Sequence, residues 1–545
     1  MTARFTTIFS RLRARRARLA LTLALAGCSP PTSPSLGLAP RAPTAEGATY
    51  ARTVEPGKSL QVIVPLTAAQ ARGRWHWRLF GLGSADERAE YVSPDGVLMG
   101  ELRSSRRGDD IVHQRLDAFG TESYRMTVRA DGTYQLRYPS GRVSLTGCDR
   151  VIVERDGLRE HRRCLSVTGA EAADEGGCTR RELVRDARGL IIETACFGPA
   201  GPAVDEAGLH RIRTTYDALG SRVEERHEDL LGRPVANLSG CHGRRFAHAD
   251  SLDLASTTCI DAAGAPVVDG STGVATIVHE SNARGCDVAI SYRDERGLPA
   301  SPHGVARIVR EPGPRCELLR QEFHDRAGAL VVRDGVAVRT HLVDARGRVS
   351  RTSCFNELRY ATNCMGSDGH YGSVLTYEYD DRGRLERRRG FLATMAESWT
   401  ASHVPHLTEW TYDDQGRERL VRYYNEWSRP IEAPSRGQEV HSYEPSGDLA
   451  SIAAFRWDGA PAKSNTGCHV VRFSHDALGR RTRIECVTDS EPGTLGPSIG
   501  SVSWPVGARA VEILREPHLI NVFRDHDGRE VKRVDCAEPG ASCHG

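Results

Sequence analysis

The chain has 545 residues, a formal net charge of +2 and 39% hydrophobic residues. A balance so close to neutral offers no global electrostatic reason to bind nucleic acid, and a length well beyond one ordinary core calls for several domains or a repeating array. Aromatic residues make up only 6%, so the core is expected to be thin, and with Lys58, Lys463 and Lys532 the only lysines, the abundance of arginine reads as genome base composition rather than as a binding surface.

At the N-terminus, Arg4, Arg11, Arg13, Arg15, Arg16 and Arg18 form a basic segment, and Leu19 to Gly27 are apolar or small. Residues 1–27 therefore read as a signal peptide for export. They are too short for a span, which needs roughly 20 apolar residues. Leu25-Ala26-Gly27-Cys28 resembles the lipobox of bacterial lipoproteins. The resemblance implies cleavage before Cys28 and lipid attachment to it, so the first expected partner is the membrane, reached through an N-terminal lipid. Residues 28–48, rich in Pro, Ser, Ala and Gly, are expected to form a flexible tether. By the same resemblance, Ser29 after the lipid cysteine points to the outer membrane of the cell envelope rather than the inner one.

Residues 49–145 are expected to form a β-rich N-terminal capping region. It contains one stretch, 67–80, that suits either a short helix or a capping strand. Residues 128–134 (VRADGTY) and 153–159 (VERDGLR) carry Asp-Gly, the two-residue hairpin turn. Over 146–487 a repeat takes over. Asp-x-x-Gly, with one Asn and one Glu in place of Asp, begins at Asp186, Asp217, Asn282, Asp344, Asp380, Asp413, Glu444 and Asp476; spacings between clear neighbours are 31, 36, 33, 31 and 32 residues. Degenerate turns at 248–253 (HADSLD) and 311–314 (EPGP) fill the two double-length gaps. A second series begins at Asp229, Asp261, Asp294 and Asp325, often as D-x-x-G-x-P, and GVATIV, GVARIV and GVAVRT recur at 273, 304 and 335. A fixed period in this range means stacked units. Asp at the first position and Gly at the fourth signal a type I turn, and the short β-branched or aromatic flanks signal strands. The expected fold is all-β: an elongated, right-twisted array of stacked antiparallel β-hairpin repeats with small β caps, the second being residues 488–545.

Leaving Cys28 for lipid, fourteen of the fifteen cysteines remain, an even number suited to an oxidising compartment. Sequence alone does not fix their connectivity, but hairpins bring their two ends together. On that basis Cys178 is expected to pair with Cys196, Cys241 with Cys259, Cys468 with Cys486, and Cys148 with Cys164. Cys286 and Cys316 each follow a turn in successive repeats and meet only if repeats stack in register. Cys354 with Cys364 and Cys536 with Cys543 complete the local pairs. The lack of C-x-x-C pairs excludes the usual zinc frameworks.

The segments TTYDALGSRVEE (214–225), YEYDDRGRLERR (377–388) and WTYDDQGRERLVRYY (410–424) resemble the YD repeats of the RHS family. That resemblance spans 146–487 and implies a β-hairpin repeat fold. Large members of that family build spiral β shells, some enclosing a C-terminal toxin, but this chain is short and disulfide-rich and lacks the D-P-x-G protease motif.

No motif singles out a catalytic residue, a metal site or a cofactor. Ser498 sits in G-x-S-x-G without the strand and helix that motif needs. His242, His248, Asp250 and Asp253 are better read as a variable turn, and Asp525, Asp527 and Gly528 as another repeat turn rather than a calcium loop. The expected function is that of a non-enzymatic, lipid-anchored envelope protein presenting an extended β surface to a protein or glycan ligand. The alternative is an envelope hydrolase or RHS-type toxin-related protein. Trp75, Trp77, Trp399, Trp410, Trp427, Trp457 and Trp504 gathered on one face would favour binding; a cleft with converging His and carboxylates would favour an enzyme.

Overall fold

The computed structural model describes residues 48–535 apart from 138–147, 167, 175, 365–371, 392–405, 426–427, 432–436, 446, 464–467, 477–480, 488–507, 515–519 and 526. Cys28, Ser498, Cys536 and Cys543 thus lie outside the described residues, as do Trp399, Trp427 and Trp504.

Where it lies among the described residues, Asp-x-x-Gly closes its hairpin through a repeated set of bonds. At Asp186 the carboxylate Oδ1 accepts the N–H groups of Arg188 and Leu190, both at 2.9 Å. Gly189 N–H donates to Asp186 O at 2.9 Å, and Asp186 N–H to Leu190 O at 2.8 Å. Gly189 takes φ +88°, and the strand register slips between Val184 and Arg185. The turn is thus a type I turn ending in a one-residue bulge, and the fourth position must carry positive φ. The degenerate turns obey the same rule with the wrong residue: Leu252 has φ 70° and Cys316 φ 63°. Such a non-glycine residue costs on the order of 1 kcal/mol. The second of these turns is Gly313–Cys316, two residues later than the sequence suggests, so Cys316 lies within the turn rather than after it.

Tyrosine and arginine lock successive hairpins together. In the three repeats that begin at Asp344, Asp380 and Asp413, the Arg four residues on (Arg348, Arg384, Arg417) donates back to the turn carboxylate at 2.6–2.8 Å. Its guanidinium lies over the tyrosine ring of the next repeat, Tyr379, Tyr412 or Tyr443, at 4.2–4.4 Å. That tyrosine hydroxyl in turn donates to a carbonyl of the preceding hairpin, at Val349, Leu385 or Glu418, over 2.7–2.9 Å. Asp, Arg and Tyr thus form one rung in each of these three repeats.

Among the described residues 34 strands make one antiparallel sheet, and Val54–Pro56 with Leu60–Val62 form a separate two-stranded one. The large sheet starts at Pro65–Leu66, passes through Thr49–Ala51 and His76–Phe80, and continues in chain order to Glu530–Asp535 without closing on itself among the described strands. Within a hairpin six residues pair, as in Val338–Val343 with Val349–Phe355; between hairpins only three do, as in Arg320 to Glu322 with Val338 to Thr340. The second turn series forms the links, where Arg293 bridges Pro299 and Ile260 bridges Pro266.

Among the described residues six cysteine pairs stand at bonding distance: Cys148–Cys164, Cys178–Cys196, Cys241–Cys259, Cys286–Cys316, Cys354–Cys364 and Cys468–Cys486, with Cα atoms 5.2–5.4 Å apart. In four of them the cysteines are not opposite one another. The ladder sets Cys196 against Arg181, Cys259 against Arg244, Cys486 against Val471 and Cys164 against Val151, so each partner sits three residues before the paired residue, where the chain doubles back on entering its strand. The same two places in the repeat beginning at Val305 hold Val305 and Phe323, both buried. Cystine and apolar pairs are thus alternative fillings of one small core site per repeat. By the chain-entropy account each cystine adds roughly 2–4 kcal/mol.

The stretch 67–80 is both things at once. Thr67 and Gln70 form a capping box on the helix Ala68–Ala71, and His76–Phe80 is a strand. This N-terminal region also lies along the row of turns. Ile63 and Val64 pack on Leu190 and Tyr216, Trp75 on Gly285, and Phe119 on Gly347. A Cβ on Gly220 would stand 2.7 Å from Val64 Cγ2, so that glycine is required by close approach as well as by its φ of +79°.

Candidate functional site

The turn Ala249–Leu252 is one of those that carry no Asp-Arg-Tyr rung. Asp253 stands where arginine stands in later repeats, and Ser281 stands where tyrosine does. Both replacements remove bulk and leave a cleft of about 300 Å³. Arg52, Trp75 and Tyr91 from the N-terminal region line one side, and His279, Ser281 and Asp287 from the repeats line the other.

The aromatic side is fixed by stacking. Tyr91 lies between Trp75 and Trp77, 5.0 Å from each, and the Arg115 guanidinium covers Trp77 at 4.5 Å. Trp75 is 9% exposed, its N–H donates to Asp253 Oδ1, and its backbone N–H reaches Ser251 O at 3.1 Å. Burial pushes the Tyr91 phenol up, against the opposing pull of Arg52 and Arg115. Arg52 also donates to Leu252 O at 3.2 Å.

The polar side is a strand pair. His279 Nδ1 lies 3.3 Å from Asp287 Oδ2, which also accepts from Arg310 at 3.4 Å. Ser281 is two residues beyond His279, and so on the same strand face. Chemically the cleft offers an aromatic wall, a guanidinium, an imidazole–carboxylate pair and a hydroxyl. This set suits a polar ligand of the size of one sugar ring or one side chain.

The residues singled out in the sequence are dispersed. His248 Nε2–H donates to Arg222 O at 2.9 Å, which is the place a tyrosine hydroxyl takes elsewhere; Asp250 O accepts from Arg74; only Asp253 borders the cleft. Cys241, Cys259 and Asp269 approach one another as metal ligands would, but both sulfurs are committed to the Cys241–Cys259 bond. Of the tryptophans, Trp75 and Trp77 share the N-terminal stack, whereas Trp410 lies beside Arg388 at 5.5 Å and Trp457 beside Tyr424 at 5.2 Å. Arg52, Tyr91, His279, Ser281 and Asp287 escape sequence reading. Ser281 breaks the aromatic position before Asn282, but Pro312 and Val343 break it in the next two repeats, so no letter of the sequence singles this cleft out.

No family model and no curated protein matches the chain. Among solved structures it is similar to the complex of TcdB2, TccC3 and Cdc42, at 10% identity over 88% of this chain and 26% of that one, with a TM-score of 0.31. The Photorhabdus luminescens Tc holotoxin pore follows at 10% identity over 88% and 29%, with a TM-score of 0.25. A porin-like protein from Bacteroides uniformis matches at 8% identity over 57% and 88%, with a TM-score of 0.13. The chain therefore spans between a quarter and a third of the first two structures, and superpositions this loose carry no argument about function.

Proposed function

We propose that the protein is a non-enzymatic, lipid-anchored repeat protein of the bacterial envelope, held by Cys28 and binding a protein or glycan through its β array. The observation that supports this reading is the antiparallel ladder that runs through the described strands, locked by Asp-Arg-Tyr rungs in three repeats and stapled across repeats by Cys286–Cys316. Such a scaffold offers a rigid extended face, and rigidity reduces the entropy lost on binding. The cleft at Trp75 and Asp287 is where that face is indented.

The test is retention of envelope glycans and proteins by the full chain, purified in detergent, compared with Trp75→Ala and Asp287→Ala. A drop of about tenfold or more in affinity is expected for a desolvated contact. Unchanged retention by both variants would overturn the cleft as the binding site, and no retention at all would overturn the binding reading. Anchoring is tested separately: labelled fatty acid is expected to enter the wild type and not Cys28→Ser.

One observation favours a hydrolytic second reading, namely that Ser281, His279 and Asp287 line the same cleft. Ester-probe turnover lost in Ser281→Ala would decide for it.

A further inference from the structure

The rung Asp413–Arg417–Tyr443 is followed by one in which all three residues change together. Glu444 replaces the turn Asp, Asp448 replaces the Arg four residues on, and His475 replaces the Tyr of the next hairpin. A cation becomes an anion and a phenol becomes an imidazole. Rungs built from Asp344, Asp380 and Asp413 are held by an Arg that joins carboxylate to ring. The Glu444 rung cannot be held in that way.

We infer that Glu444, Asp448 and His475 form a binding site for a divalent transition-metal ion of the zinc type, which takes the place of the arginine. One ligand atom from each residue lies within 4.8 Å of the others. His475 Nδ1 and Glu444 Oε1 are 3.5 Å apart. Two donors at about 2.1 Å from a tetrahedral zinc stand roughly 3.4 Å apart, so this pair already has the required spacing. The His475 side chain is only 7% exposed, yet its Nδ1 makes no hydrogen bond in the structure. That nearly buried nitrogen faces the Glu444 carboxylate, with an Asp448 oxygen within 4.8 Å, so its lone pair is placed to serve as the third donor to a cation held there. The imidazole donor selects zinc-type ions over calcium or magnesium, which prefer oxygen alone. Three protein donors leave the fourth position to water, and Glu444, with 38% of its side chain exposed, keeps the site open to solvent.

The substitution pattern supplies its own control, because Glu444→Asp with Asp448→Arg and His475→Tyr rebuilds the rung found in the preceding repeats. The full chain, purified in detergent and stripped with a chelator, is expected to take up one equivalent of Co²⁺ with visible absorption bands that Zn²⁺ abolishes. The triple variant is expected to fold with the same circular dichroism and to bind no equivalent there. His475→Gln is expected to weaken Co²⁺ binding by more than about a hundredfold, since even residues behind the ligands contribute tenfold or more. Absence of the bands in the wild type would overturn the inference. So would bands or stoichiometry that survive the triple variant, or uptake of Ca²⁺ without Co²⁺.

Discussion

At Asp344, Asp380 and Asp413 burial works to raise the carboxyl, but hydrogen bonds from the following arginine, through its guanidinium and its backbone N–H, outweigh it and hold all three below the usual carboxylate range. Their stabilising effect is complete above the unfolded value near 4 and is lost as pH falls through the lowered native values. The thermal midpoint is therefore expected to drop on acidification below about pH 4. Asp413→Asn, which keeps a turn acceptor like Asn282 but loses the charged bond to Arg417, should shrink that drop, whereas Asp413→Ala should cost about 1–2 kcal/mol at neutral pH in denaturant unfolding. Tyrosines behave in the opposite sense. Burial, then the nearby Glu418, pushes Tyr412 up to about 12, and burial, then the hydrogen bond to Glu409, does the same for Tyr424. The folded state favours the neutral phenol, so this stability is full below about pH 10 and is lost as pH rises through the native value. Alkaline absorbance titration should show late phenols, with one fewer in Tyr424→Phe. The aspartates were legible in the sequence because their bonds are local. The tyrosines were visible as a repeated letter without a reason, since each hydroxyl meets a carbonyl 27 residues back at Tyr412 and 30 back at Tyr379.

Hairpins are the scale at which sequence reading went furthest. The period placed the turns, and local closure brought Cys178 to Cys196, Cys241 to Cys259 and Cys468 to Cys486. The three-residue offset is not legible, because a chain doubling back into a strand leaves no mark in a spacing of 18. The turn at Asp117, whose Oδ1 accepts from Phe119 and Thr121 at 2.8 Å as in the repeats, stands outside the period and so carries no periodic signal. The offset makes a prediction of its own. Val305 and Phe323 occupy the cystine places in an unstapled repeat, so Val305→Cys with Phe323→Cys should oxidise to a new bridge that non-reducing peptide mapping recovers. Free thiols at both positions would show that the two places are not equivalent.

For the whole molecule, the N-terminal region is what joins repeats that would otherwise touch only their neighbours. Trp75→Ala should cost about 3–5 kcal/mol and expose 49–137 to limited proteolysis before the repeats yield. None of this docking was legible, because pattern reading works within a period and these contacts do not. Trp75 reaches Asp253 across 178 residues, Arg284 reaches Asp95 across 189, and Arg52 reaches Leu252 across 200. That separation orders events in time. The segment synthesised first has its landing row completed only after the repeats around 253 and 284 exist, and closing so long a loop is entropically unfavourable until they do. Local hairpins should therefore form early and the strap should seat last, with Val64, Trp75 and Phe119 left in water in the meantime. Stopped-flow tryptophan fluorescence should resolve a slow final phase that disappears in Trp75→Phe, and the waiting strap is the stage at which a holding chaperone would find apolar surface to grip.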